Sequence, residues 1–175
     1  MRYDLLNDRS SDKYLRELCA SHVSGQLKVA PEHCTASVLR LMNKPVFAKY
    51  EKFISRFAAI NKKIGKKQYL VNYFISSHPG TQLEDALEMA LYLAKNHIHP
   101  EQVQDYIPLP MTMSGAMYYT EKNPLTNKAL YVAKTQSERA MQRALLQHRN
   151  PKSKKYILQA LKILHKENLK KLFHI

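Results

Sequence analysis

Apolar residues recur along this chain in two alternating periods. Tyr14, Leu15, Leu18 and Cys19 keep the three-to-four spacing of one buried helical face, with Ser10 or Ser11 placed to cap it. The next stretch, GQLKVA, reads as a short strand that runs into proline, acid, histidine and thiol without an Asn or Asp turn. Thr35 then predicts the cap of a short helix carrying Val38, Leu39 and Met42, which stops before Pro45. Phe47, Tyr50, Ile54 and Phe57 share one stripe of a longer helix that ends at Gly65. KQYLVNYFI is apolar enough to predict a strand covered on both faces. Thr81 and Glu84 fit the T-x-x-E capping box of a helix bearing Leu83, Leu87, Ala90, Leu91 and Ala94, and EQVQDYI predicts a third strand. Beyond it come a Met- and Tyr-rich stretch, a turn at NPLTNK, a helix opened by Thr135 and Glu138, and final helices with Ile157, Leu161 and Leu164 on one stripe.

Strand, helix, strand, helix, strand is the signature of parallel α/β units, whose strands all point one way. Their three carboxyl ends, KVAPEHC, FISSHPG and DYIPLPMT, therefore lie side by side, and that edge is where ligands bind in parallel sheets and barrels. Glu32, His33, Ser76, Ser77, His78 and Asp105 are expected to converge there, with prolines stiffening the loops.

Other chemistry is weaker. Cys19, His22, His33 and Cys34 offer zinc-binding atoms in a spacing that matches no common structural site, and buried thiols with satisfied histidines are the plainer reading. Ser76, Ser77 and His78 lack a nucleophile elbow, and both standard phosphate-cradling loops are missing. Glu32 with His33 is the more credible acid/base pair because of its place at a strand end. Met111, Met113, Met117, Tyr118 and Tyr119 are pocket candidates for the same reason, although such groups more often form core.

At 175 residues the chain is expected to be one folded unit. Its charge changes the picture: 28 Lys and Arg against 14 Asp and Glu give a net +14, which attracts polyanions. From Pro151 onward there are seven lysines and one glutamate. A solvated face is the plain reading of that run, and weak, non-specific nucleic-acid binding is the sharper one, resting on charge alone. Two cysteines make no disulfide framework, no leader is visible at the N-terminus, and no apolar run reaches the roughly 20 residues of a membrane span; the expectation is a cytoplasmic protein with no membrane partner.

The stretches RYDLL, HVSGQLKVAPEHC, VLRLMNKP, YFISSHPG, VQDYIPLPMTMSGAMYYT, and YVAK followed by QRALLQHRNP resemble the YgiQ family of radical S-adenosylmethionine (SAM) proteins, in order and spacing and over almost the whole chain. The resemblance implies the second half of a partial (β/α)6, TIM-like barrel over residues 1–110 and a helical, basic, family-specific extension over 111–175. It implies SAM and a four-iron four-sulfur (4Fe-4S) cluster as cofactors of the full-length family. The cluster requires C-x3-C-x2-C, which is absent here, so no cluster and no metal site is expected in this chain alone, and its catalytic residues stay unassigned. Gly25, Leu27, Val29 and Glu32 are similar to the G-x-I-x-G-x-x-E pattern of the fifth barrel strand, beside the adenine of SAM, with Val29 in place of the second glycine. Arg2 resembles a residue at the end of the fourth strand. By the same resemblance Arg2, Gly25, Leu27, Glu32, Ser76 and His78 face SAM, and His33, Asp105, Met111 and Met113 form a substrate rim. The expected partner is the missing N-terminal barrel half, or another copy through self-association. The alternative is a small basic protein that binds nucleic acid or another polyanion without catalysis.

Overall fold

A computed structural model describes residues 2–6 and 8–173. A 3-10 turn, Tyr3–Leu6, precedes helix α1 (Asp12–Glu17), which continues into a π turn at Leu18–His22. Then follow β1 (Gln26–Glu32), α2 (Ala36–Leu41), α3 (Phe47–Ile64), β2 (Tyr69–Ser76), α4 (Leu83–Lys95), β3 (Gln104–Asp105), α5 (Met113–Thr120), α6 (Gln136–Leu146) and α7 (Lys154–Ile163). A 3-10 stretch, Glu167–Phe173, comes last.

The strands form one open sheet in the order β1-β2-β3, parallel throughout, as the alternation predicts. It is not closed into a barrel. Leu27 pairs with Leu70 and Val29 with Asn72, but Glu32 pairs with Phe74, so β1 carries one residue more than β2 over this span. Pro31, which has no N–H to give to a ladder, lies inside that irregularity. The third strand is only two residues long, shorter than EQVQDYI predicts. Prolines at 100, 108 and 110 bracket it, and beyond Asp105 only the Tyr106 N–H continues the pairing, to the Ser76 carbonyl at 2.9 Å.

Both long helices that follow the first two strands lie on the same face of the sheet. The stripe Tyr50, Phe53, Phe57 and Ile60 of α3 packs on Leu27, Val29 and Leu70, and α4 packs Leu87, Met89, Ala90 and Leu93 around Phe74. Gly65 ends α3 with φ of 68°, a left-handed stop that glycine makes without strain. The core around Phe74 also takes in Leu145 of α6 and Ile157, Ala160 and Leu161 of α7, so it draws on residues from both sides of position 110. On the opposite face of the sheet, among the described residues, no helix sits over Tyr69 and Tyr73, which are about half exposed, or over the exposed Gln26 and Lys28. The apolar run of β2 predicts cover on both faces; one face is open because α3 and α4 both occupy the other. Among the described residues no helix is long and apolar enough to cross a membrane.

Candidate functional site

The carboxyl edge of the sheet holds three residues with unusual backbone. Glu32 at the end of β1, Ser77 just past β2 and Met111 in the loop beyond β3 all take left-handed conformations, with φ of 68°, 60° and 61°. Side chains with a Cβ avoid this region, and each such residue costs on the order of 1–3 kcal/mol that the surrounding packing must hold in place.

Between these points the polar groups interlock. Ser76 donates its hydroxyl to Asp105, and Arg143 of α6 donates to the other carboxylate oxygen of Asp105. Arg139, one turn earlier, donates to the Tyr106 carbonyl at 2.9 Å. Gln142, buried on the same helix, accepts from the Ser77 N–H at 3.1 Å and donates to the Thr81 carbonyl at 2.9 Å. Helix α6 thus holds the end of β2 in its strained form. The Thr135 and Glu138 box that starts α6 is made as predicted: the Glu138 N–H donates to the Thr135 hydroxyl, and the Thr135 N–H donates to the Glu138 carboxylate. The box of α4 falls one residue later than predicted, on Gln82 and Asp85, because the Thr81 N–H is taken by the His78 carbonyl in the preceding turn.

Two histidines lie beneath this edge. His33 is buried, its Nδ1 accepts from the Thr35 N–H at 3.1 Å, and burial, with a smaller contribution from His78, pulls its pKa down to about 3. His78 has Nδ1 2.8 Å from the Pro79 carbonyl and Nε2 2.8 Å from the Ser114 hydroxyl. A carbonyl only accepts, so Nδ1 carries the proton and Nε2 accepts from Ser114. Burial lowers the pKa of His78 to about 4 against the opposing pull of the Pro79 carbonyl. A neutral imidazole oriented by the Pro79 carbonyl accepts the Ser114 hydrogen bond and fixes the direction of that hydroxyl, and its lowered pKa makes it a positioning group and a weak base.

The predicted site residues do not all gather at the edge. His33, Ser76, His78 and Asp105 are buried or half-buried at the edge, while Met111 and Met113 are exposed beside it with Ile107 and Leu109. Glu32 lies at the same edge, ion-paired to Lys44 at 2.6 Å. Gly25 precedes the first residue of β1, at the amino end of the strand, where its carbonyl accepts from the Tyr69 N–H. Leu27 turns its side chain into the core beneath α3. Arg2 is exposed and pairs with Asp4 at 2.6 Å, at the mouth of a cleft of about 740 Å3 lined also by Ala30, Asn43, Lys44 and Pro45. A larger cleft, about 840 Å3, lies on the open face over Lys28, Val71 and Tyr73, bounded by the loop of residues 97–102.

Ser114, Gln142, Arg143 and Lys44 escape sequence reasoning. Gln142 is buried with the Ala140, Met141, Ala144 and Leu145 stripe of α6 and Arg143 lies beside it, and helical periodicity does not show what either meets. Ser114 lies in the Met- and Tyr-rich stretch, whose polar member gives no signal of its own.

The thiols do not fit an iron-sulfur cluster. Cys19 is fully buried in the α3 core and Cys34 packs against the separate core of α4, so they do not face one another. Burial raises the pKa of Cys19 and pushes that of Cys34 up to about 12, which keeps both protonated where a cluster needs thiolates. Among the described residues no group of three His, Cys, Asp or Glu is arranged to hold a metal ion.

A family described as "Domain of unknown function (DUF3362)" matches residues 101–170, from the approach to β3 to the last 3-10 stretch. Over 92% of its residues the chain is 51% identical to a UPF0313 protein of Methanosarcina mazei, of which the match covers 25%. It is 46% and 48% identical, over 97% of its residues, to UPF0313 proteins of Clostridium perfringens and Clostridium botulinum, covering 26% of each. The homologues of this chain are UPF0313 proteins, and it spans about a quarter of their length.

Proposed function

We propose that this chain builds one wall and part of the ligand-binding rim of a radical SAM barrel, and that the cluster ligands of that barrel are supplied by residues outside it. One observation carries the reading: three parallel strands wear their helices on one face only and leave the other face open, as the wall of a barrel does and a doubly wound sheet does not. The match covers about a quarter of the UPF0313 relative from Methanosarcina mazei, whose remaining length leaves room for further strands.

The rim has the charges that SAM calls for. SAM ends in an amino acid zwitterion beside a sulfonium, and the cleft under Arg2 is lined by two cations, Arg2 and Lys44, and by the carboxylate of Asp4, with Glu32 joined to it through its ion pair with Lys44. In this reading the cations take the ligand's carboxylate, and the acids take its ammonium and lie near the sulfonium. A reduced cluster held by residues outside this chain would supply the one electron that cleaves SAM, and SAM would supply the hydrogen-abstracting chemistry. This chain's own residues bind and orient: Glu32 is fixed by its left-handed backbone, and His78 holds the Ser114 hydroxyl in place by accepting its hydrogen bond.

Binding of radiolabelled SAM tests this, measured by equilibrium dialysis on the chain combined with a polypeptide carrying the rest of a UPF0313 protein. Replacing Glu32 by Gln, or Arg2 by Ala, is expected to weaken SAM at least tenfold, whereas Lys62→Gln on the far side of α3 leaves it unchanged. SAM affinity indifferent to both rim substitutions overturns the assignment of this edge.

A further inference from the structure

The basic segment at the end of the chain has a distribution of charge that folding does not explain. Lys152, Lys154, Lys155, Lys162, Lys166, Lys170 and Lys171 are accompanied by Glu167 alone. Among the described residues the ion pairs join Arg2, Lys44, Arg56, Lys134 and Arg143 to acids, and none of these seven lysines takes part in one. Six are exposed and Lys170 is half-buried. Lys154 and Lys155 occupy the first turn of α7, which holds no acid, and Lys152 lies just before it. Cations there oppose the helix dipole, so the pattern runs against what stability alone favours. Lys155 and Lys162, seven residues apart, stand on one face two turns from each other, roughly 10 Å along the axis.

We infer that α7 and the Glu167–Phe173 stretch form a surface that binds the phosphate backbone of a double-stranded nucleic acid without regard to sequence. The apolar side of α7 excludes a membrane-surface role: Ile157, Ala160 and Leu161 are fully buried in the core, whereas a helix that lies on a bilayer needs that side free. The aromatics of the segment exclude base stacking as the main contact. Phe173 is buried and Tyr156 half-buried, so neither offers the open ring on which single-stranded bases stack. What the surface does offer is exposed positive charge along a length that several phosphates span. A helix of ten residues spans about 15 Å, and each strand of a duplex presents a phosphate roughly every 3.4 Å of axis. This inference does not depend on the radical SAM reading, since the lysines lie outside the sheet edge where that reading places SAM.

The test is anisotropy of a short fluorescent duplex with the full chain, between about 50 and 200 mM salt, for two unrelated sequences. Four to seven phosphate contacts predict a log-log salt slope of about −4 to −6, equal for both sequences. Reversing Lys154 and Lys155 to Glu is expected to reduce affinity at least tenfold and to flatten the slope by about 2; Lys154→Arg with Lys155→Arg restores both. The control reversal of Lys62 and Lys63 on α3 changes net charge by the same amount and is expected to leave the slope unaltered. Equal losses from the two reversals overturn the inference, because net charge alone then explains binding. So does affinity for phosphatidylserine vesicles that matches or exceeds that for the duplex. Circular dichroism of each variant shows that it is folded, and Lys154→Gln with Lys155→Gln provides a milder variant on which the same loss is expected.

Discussion

Lowering the pH should unfold this protein through two buried imidazoles. His33 and His78 titrate near 3 and 4 in the folded chain, against about 6.5 in the unfolded one. Both are therefore neutral when folded at pH 5, while the unfolded chain takes up nearly one proton at each. Because the unfolded state binds more protons, stability falls as pH falls. The contribution is fully present above pH 6.5 and is lost progressively between 6.5 and the folded values of 3 to 4. From 6.5 to 5 the loss is about 2 kcal/mol per histidine, or about 4 kcal/mol for both, a large part of a typical domain's margin. Asp4, Asp8 and Glu138 have pKa values held below the ordinary carboxylate range by their hydrogen-bond partners, so their own losses come at lower pH. Urea unfolding followed by circular dichroism at pH 7.5 and pH 5 reads the difference directly. In His33→Gln the drop between the two pH values should shrink by about 2 kcal/mol, and in the double variant with His78→Gln by about 4 kcal/mol, whatever each costs at pH 7.5. A pH dependence in the double variant as steep as that of the parent would refute the argument that these rings are held neutral.

Gly80 has φ of 86°, and a Cβ there would lie 2.1 Å from Leu41 Cδ1, so Gly80→Ala should lower stability by more than about 1 kcal/mol in the same urea assay, with the unfolding slope unchanged. Thr135→Ala should cost about 1 kcal/mol by breaking the reciprocal cap of α6. Thr81→Val should be neutral or stabilising, since the Thr81 hydroxyl is buried without a partner and the cap of α4 lies one residue later; a loss equal to that at Thr135 would contradict this assignment. Cys34, whose thiol is pushed up to about 12, should react with a disulfide reagent at pH 8 orders of magnitude more slowly in the folded protein than in urea, as stopped-flow absorbance would show.

How much of this was legible beforehand follows from the range of the interactions involved. Strand order and direction could be read because the period of the apolar residues switches between helix and strand, a local property. The Thr135 and Glu138 cap was readable for the same reason. The cap at Thr81 slipped by one residue because a turn made by His78 consumed its N–H first, and no local pattern counts that bond. Tyr69 and Tyr73 read as buried strand residues, yet both are half exposed: apolar sequence reports a preference for cover, and which helix provides it is decided by the fold. The polar framework was least legible. Asn72 accepts from the Tyr50 hydroxyl in the core, and Asp105 meets Ser76 and Arg143, pairs separated by 22, 29 and 38 positions. Such partners are chosen by packing, and their residue types alone do not name them. The strained backbone at Glu32, Ser77 and Met111 was equally hidden, because none is glycine or asparagine, the residues that would have advertised it.

Product analysis tests most directly the proposal that this sheet edge is the rim of a radical SAM barrel. The chain is combined anaerobically with a polypeptide carrying the rest of a UPF0313 protein, supplied with iron, sulfide, SAM and dithionite, and assayed for 5'-deoxyadenosine by liquid chromatography with mass spectrometry. 5'-Deoxyadenosine and methionine are expected in equal amounts from the combined polypeptides, with none from this chain alone and at least a tenfold fall on Glu32→Gln. A combined preparation that holds its cluster and leaves SAM intact, or one that cleaves SAM equally well without this chain, would contradict that proposal.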